Sequence, residues 1–161
     1  MLSQELIAEI RQGFAMSLDG IHGEAHWARV LENGLRLAAQ TGADVEIVAL
    51  FAYLHDSKRQ SDGWDRGHGL RAAAYVRALP EALLPISPGK RRVLAYAIAH
   101  HSDGLTEAGA TVQTCWDADR LDLGRIDIRP NPKYLCTEAA KDPAVIEWAW
   151  QRSQAVVYQV E

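Results

Sequence analysis

The chain has 161 residues, of which 48% are hydrophobic and 24% are charged, and its formal net charge is −4 at neutral pH. This length and balance predict a single globular domain over the whole chain, with its own core, and exclude a disordered chain. The acidic balance gives no general attraction to nucleic acid or to an anionic membrane. With no apolar run as long as a membrane span and no secretory-signal pattern at the start, a cytoplasmic protein is expected.

Apolar residues recur at three- and four-residue intervals along most of the chain, which predicts helices joined by short turns. The first helix is expected to begin at Ser3, as its N-cap, and to reach about Leu18, before Asp19-Gly20. Gly124 is expected to be a helix C-terminal cap, and segment 125–141 a long loop. Further predicted helices are 23–40, 69–79, 88–101, 112–123 and 143–160.

The segment 43–56 is almost entirely apolar from Ile47 to Leu54 and could form either a buried strand or a helix. It is longer than a typical strand, it contains Ala49 and Ala52, and the sequence offers no second strand to pair with it. We therefore predict a helix at the centre of a bundle. The predicted fold class is all-α, a compact bundle of about six to eight helices.

Titratable residues follow directly on this apolar segment. His55 and Asp56 continue the run, and burying a charge is costly unless the charge is paired or bound to a metal. The end of a helix, with Asp56 as its cap, would explain the His55-Asp56 pair equally well. His26 shares a helical face with Val30 and Leu37 and should point inward, where a metal or a backbone carbonyl could satisfy it.

A later predicted helix carries three aspartates. Asp119 and Asp122 lie on one side of this helix, whereas Asp117 is about 200° around it from Asp119. Since Asp119 shares its face with Cys115 and Ala118, we expect Asp119 to be a ligand and Asp122 to support it. Asp117 is the alternative ligand, with a cap or an ion pair as its simpler role. A solvated acidic face is the other interpretation of all three.

The ordered set of HxxRV at 26–30, His55-Asp56 and Asp119 to Asp122 resembles the HD-domain metal-dependent phosphohydrolase superfamily, in a small single-domain form. The resemblance covers about residues 22–123 and implies the HD-domain helical bundle, with 125–160 as a C-terminal loop and helix. The loop could cover one side of the site. By position, the resemblance implies four metal ligands: His26, His55, Asp56 and Asp119.

Three further histidines resemble ligands of the dinuclear branches of that superfamily. His68 would be an added ligand, one or both of His100 and His101 would complete a second site, and Asp56 would join the two ions. The simpler interpretations are a loop residue for His68 and, for the pair, a helix C-terminus whose dipole favours histidine. The short interval from Asp56 to His68 and the missing Gly-Tyr-Pro after His101 set the chain apart from cyclic-dinucleotide phosphodiesterases.

Mixed imidazole and carboxylate donors suit a divalent ion such as Fe, Mn, Zn, Mg, Co or Ni. Such an ion lowers the pKa of a bound water and neutralises phosphoryl oxygens. Cationic residues close to the motifs are candidates to bind the phosphate, although each could equally be a solvated surface charge. They are Lys58, which we rank first, Arg59, Arg29 and Arg66.

The resulting hypothesis is hydrolysis of a small phosphate ester, a nucleotide or a related metabolite, by metal-activated water. Two alternatives stay open. The same helical superfamily includes diiron proteins that oxidise small alcohols or phosphonates with oxygen, and a non-catalytic domain could sense a nucleotide in the same cavity. The only partner expected is the small phosphorylated molecule, and the sequence does not indicate an oligomeric state.

Overall fold

The computed structural model describes residues 2–154, and over that range the protein is all-α. Its eight α-helices there, α1 to α8, are Gln4–Gly13, Glu24–Thr41, Val45–Leu54, His68–Ala78, Pro88–His100, Ala110–Arg120, Glu138–Lys141 and Pro143–Gln154. Two short 3-10 helices, Leu123–Ile126 and Pro132–Tyr134, lie between α6 and α7. None of the helices in the described range is long and apolar enough to cross a membrane.

The apolar segment after Asp44 forms the helix α3, as predicted, and not a strand. The Asp44 carboxylate caps α3 by accepting hydrogen bonds from the backbone N–H groups of Glu46 at 3.0 Å and Ile47 at 3.3 Å. Most side chains of α3 are buried between α2, α5 and α6. Because α3 packs its buried face against these three helices, the residues that follow it, His55 and Asp56, lie in the interior.

The predicted helices 23–40, 69–79 and 88–101 agree with α2, α4 and α5 to within one residue at each end. Helix α6 begins and ends slightly earlier than predicted, and α8 begins at the predicted residue, Pro143. The predicted continuation of α8 to residue 160 lies outside the described residues beyond Gln154. The spacing of apolar residues was sufficient to predict these helices, because each one buries an apolar face.

Helix α1 ends at Gly13, five residues before the predicted end at Leu18, so this prediction was wrong. The Phe14 backbone is extended, and the Phe14 ring meets the Trp27 ring edge-on at 5.0 Å between centroids. The carbonyl of Leu18 then accepts the N–H of Glu24 at 2.8 Å, in the turn that leads into α2. Helix α1 thus ends at Gly13, a residue of low helix propensity, because the ring of the next residue packs on the core.

Gly124 is not a helix C-terminal cap, contrary to the prediction, but lies within the 3-10 helix Leu123–Ile126. A Cβ at Gly124 would come within 1.9 Å of the Ser153 Oγ on α8, so close packing of α8 explains the glycine. The segment 125–141, expected to be a long loop, contains part of that 3-10 helix, the second 3-10 helix and the short helix α7.

Helices α2 and α3 are tightly packed beside Gly34, where a Cβ would lie 2.4 Å from Cγ1 of Val48. We predict that Gly34→Ala lowers the free energy of unfolding by about 1–3 kcal/mol, because the added methyl overpacks this contact. Chemical denaturation of the variant measures the loss. In a Val48→Ala background the same substitution should cost little, and an equal cost in both backgrounds would contradict the steric explanation.

Candidate metal centre

Four histidines and two aspartates from five helices meet inside the bundle. Two of the histidines follow the last turns of α3 and α5, and a third is the first residue of α4. Five of the six residues are buried, and the sixth, Asp119, has 16% of its side chain exposed. These six residues, named the cluster, are His26, His55, Asp56, His68, His101 and Asp119.

One group within the cluster combines His26, His55, Asp56 and Asp119. The Oδ2 atom of Asp56 lies 3.5 Å from Nε2 of His26 and 3.4 Å from Nε2 of His55. The Oδ1 atom of Asp119 lies 3.3 Å and 3.5 Å from the same two nitrogens. The structure therefore brings together the four residues that the resemblance implied as ligands.

The other oxygen of Asp56 faces a second group. Its Oδ1 atom lies 3.4 Å from Nε2 of His68 and 3.4 Å from Nε2 of His101. The Asp56 carboxylate is thus shared between two adjoining sets of donor atoms, one on each oxygen. This is the position of a carboxylate that can join two ions.

Each cluster histidine directs Nδ1 to an acceptor, which places the ring proton on Nδ1 and a lone pair on Nε2 when the ring is neutral. The acceptors are the Asp122 carboxylate for His26 at 2.6 Å, the Phe51 and Ala52 carbonyls for His55 at 3.1 Å each, the Asp65 carbonyl for His68 at 2.5 Å and the Ile98 carbonyl for His101 at 2.6 Å. Hydrogen bonds of this kind on the far nitrogen are what orient metal-binding imidazoles.

The Nε2 atoms nevertheless face one another closely. Those of His26 and His55 are 3.1 Å apart, and those of His68 and His101 are 2.9 Å apart. Two lone pairs at such a distance repel each other unless a proton or a cation lies between them and the neighbouring carboxylates. The donor atoms present therefore fit a divalent ion in each group.

Charges within the cluster shift its pKa values strongly. Burial lowers the pKa of His55, but the adjacent carboxylates of Asp56 and Asp119 outweigh burial and raise it to about 10. Burial raises the pKa of the Asp56 carboxyl, yet the neighbouring histidines hold it well below its usual range. The carboxylates thus stay ionised and need positive charge beside them, which protonated imidazole or a metal ion can supply.

Asp122 contacts a candidate ligand, as expected, but that ligand is His26 and not Asp119. Its Oδ2 accepts the Nδ1–H of His26, and its two oxygens accept hydrogen bonds from Arg29 at 2.7 Å and 3.1 Å. Asp122 follows the end of α6, where the turn points its side chain toward α2. Arg29, predicted to bind phosphate, is buried in this pair behind the cluster and is not available to a ligand.

We predict that Asp122→Asn lowers the metal affinity of the group containing His26 by about 10- to 100-fold, because the amide is a weaker partner for the imidazole N–H. Titration of metal-free protein against a competing chelator measures the affinity. Binding at the group containing His68 should not change. An unaltered affinity at both groups, with the fold intact, would contradict this role for Asp122.

A cavity of about 450 Å³ opens beside the cluster and is lined by four of its residues: Asp56, His68, His101 and Asp119. A volume of this order is typical of sites for small molecules. Arg125, Ile126 and Tyr134 also line it. As predicted, segment 125–141 therefore covers one side of the candidate site.

Of the four cations predicted to bind phosphate, Arg59 is the one that lines this cavity. Its Nη1 donates to the Ser61 carbonyl at 2.8 Å, and its Nε lies 3.4 Å from Oδ1 of Asp56.

Lys58, ranked first from the sequence, does not line this cavity. Its Nζ lies 3.9 Å from the centre of the Tyr75 ring, in a separate depression. Adjacent side chains diverge in the turn after α3, which corrects the prediction for Lys58. Arg66 lines only an adjoining cavity.

Two other candidate ligands lie away from the cluster. His100 is one-third exposed and pairs its Nδ1 with the Asp103 carboxylate at 2.7 Å, so only the second histidine of the pair faces inward. Asp117 lies on the opposite side of α6, where its carboxylate accepts the N–H groups of Cys136 at 2.7 Å and Thr137 at 2.8 Å. Both residues were considered as ligands from the sequence, and their observed partners are structural.

Sequence reasoning missed three charged residues that line the cavity: Asp62, Arg120 and Arg125. Asp62 accepts the Nδ1–H of His22, which also lines the cavity, at 2.8 Å. Burial lowers the pKa of His22, against the opposing effect of Asp62, and favours the neutral ring. No sequence signal distinguishes these three charges from solvated ones, because their position at the cavity depends on tertiary packing.

No known family model matches the chain, and neither does any curated protein. A solved structure that is similar is the crystal structure of a predicted HD superfamily hydrolase from an uncultured Thermotogales bacterium. The two share 25% sequence identity with a TM-score of 0.72, over 98% of this chain and 90% of that chain. The similarity therefore extends over all the helices that carry the cluster.

Proposed function

Since the chain belongs to the HD-domain superfamily, we propose that it is a metal-dependent hydrolase of small phosphate esters, nucleotides or related metabolites, acting in the cytoplasm. The observation that carries the proposal is the Asp56 carboxylate, of which each oxygen lies within 3.5 Å of two histidine nitrogens. The similar solved structure supports it, since that protein is described as a predicted HD superfamily hydrolase. The cavity beside the cluster has room for a small substrate.

One divalent ion would be held by His26, His55, Asp56 and Asp119, and a second by Asp56 with His68 and His101. When bound, such ions polarise phosphoryl oxygens and lower the pKa of water at the cluster. The imidazole and carboxylate donors suit Fe, Mn, Zn, Co or Ni, and Mg to a lesser degree because it prefers oxygen ligands.

We infer that Arg59, which lines the cavity beside the cluster, binds the phosphoryl group. Its guanidinium is fixed by the carbonyls of Ser61 at 2.8 Å and Gly63 at 3.3 Å. Its buried Nε lies 3.4 Å from Oδ1 of Asp56, which keeps the side chain beside the cluster. An arginine held in this way can donate to a phosphoryl oxygen without first losing side-chain freedom.

His22 lines the same cavity, and we propose that it moves a proton. Asp62 holds its Nδ1–H, so the lone pair of the neutral ring is on Nε2. In the proposed reaction this Nε2 takes a proton from the attacking water as the new P–O bond forms and the bond to the leaving oxygen breaks. The Asp62 carboxylate orients the ring and stabilises its charged form during the transfer.

The test is phosphate release from a panel of nucleotides and sugar phosphates by protein depleted of metal and then supplied with each divalent ion. Release that depends on added metal is expected, and none with any ion would overturn the proposal. Oxygen consumption with iron bound in both groups would instead indicate the diiron oxygenase alternative. Tight nucleotide binding without turnover would indicate a sensing domain.

A further inference from the structure

Resting on the proposed function, we propose that the substrate carries a flat heteroaromatic ring, such as a nucleobase, that stacks on Trp64. Trp64 lies in the loop between α3 and α4 and is 87% exposed, more than any other large hydrophobic side chain in the described range. Full exposure of an indole forgoes the largest hydrophobic gain that any side chain offers. A stacked ligand would recover this gain.

The loop that carries Trp64 is tied down on both sides of it. Before it, Asp62 pairs with His22 at 2.8 Å. After it, both oxygens of the Asp65 carboxylate accept hydrogen bonds from Arg71 at 2.6 Å. The Trp64 ring itself has no hydrogen bond, ring contact or cation contact within residues 2–154. The loop thus holds its backbone in place while presenting this ring to solvent.

Trp64 also lies on a path that leads from the cluster. It lines a cavity of about 290 Å³ that adjoins the cavity beside the cluster. The two cavities share four lining residues, which are Arg59, Gly63, His68 and Ser102. A molecule with its phosphoryl group at the cluster can therefore extend past Arg59 and place its other end against Trp64.

The chemistry around Trp64 favours a polar aromatic ring over an aliphatic chain. The cavity beside Trp64 is lined by charged and hydroxyl side chains, including Arg66, Asp103 and Ser102. Such groups can meet the nitrogen and oxygen atoms at the edge of a base, while the indole meets its face. Any base can stack on an aromatic side chain, because every base has a π-face.

The kinetic test compares adenosine monophosphate with glycerol phosphate as substrates for Trp64→Ala, Trp64→Phe and wild type. Trp64→Ala should raise KM for adenosine monophosphate by about tenfold, since this is the usual effect of removing a stacking partner. KM for glycerol phosphate should stay unchanged, and Trp64→Phe should retain most of the affinity. Leu70→Ala is the matched control, because Leu70 is exposed but lines neither cavity. An equal effect of Trp64→Ala on both substrates, or none on either, would overturn the inference.

A binding readout separates this inference from the proposed function. Adenosine, which has no phosphoryl group, should quench the tryptophan fluorescence of metal-free wild type but not that of Trp64→Phe. If no substrate is hydrolysed but this difference is seen, the proposed function fails and the ring site stands. If the protein hydrolyses phosphate esters but adenosine does not bind, the ring site fails alone. Self-association of wild type that Trp64→Ala abolishes, without adenosine binding, would show a contact between copies and would also overturn it.

Discussion

Asp56→Asn should empty both metal groups and lower phosphate-ester hydrolysis by more than about a thousandfold. Each oxygen of the Asp56 carboxylate lies within 3.5 Å of two histidine nitrogens, so one substitution weakens both groups. An amide presents only one oxygen and no charge to four imidazoles. Elemental analysis of the purified variant, together with its kcat, measures the effect.

Asp117→Asn is the matched control for this loss. Asp117 is as deeply buried as Asp56, but its carboxylate accepts the N–H groups of Cys136 and Thr137 before α7. The control should lose stability in chemical denaturation and keep its full metal content. If Asp56→Asn binds as much metal as wild type, Asp56 does not join two ions.

His101→Ala should lose the metal of one group and at least about a hundredfold in activity, because Nε2 of His101 lies with His68 beside Oδ1 of Asp56. His26, His55 and Asp119 remain, so the other group should still bind its ion. Metal content per chain and kcat for the variant measure both effects. Equal losses from His101→Ala and Asp56→Asn would indicate that the two groups do not bind independently.

The neighbouring histidine provides the control. His100 is one-third exposed and pairs with Asp103, so His100→Ala should keep its metal and its activity. The two variants remove the same side chain from adjacent positions in the same turn. If His100→Ala loses as much metal as His101→Ala, His100 also faces the cluster, which contradicts its pairing with Asp103.

The sequence was sufficient to predict that the helices form and that three of the cluster residues face inward. His26 lies on the apolar face of α2, and His55 and Asp56 end the most apolar segment, so their burial follows from local pattern. The resemblance then selected among the later residues and implied Asp119. Helical spacing also separated Asp119 from Asp117, which lies on the other side of α6.

The remaining features depend on tertiary contacts that no local pattern encodes. Arg29 could be predicted as cationic and close to a motif, but its pairing with Asp122 joins residues 93 positions apart. The opposite directions of Lys58 and Arg59 follow from the turn after α3. The early end of α1 follows from the contact of Phe14 with Trp27.

The most direct test of the central claim counts bound metal and phosphate release together as metal-free protein is titrated with Mn²⁺, Fe²⁺ or Co²⁺. We predict that hydrolysis is absent without metal, appears as ions bind, and reaches its maximum when both groups around Asp56 are filled. Full hydrolysis by chelator-treated protein with no bound metal would contradict the account.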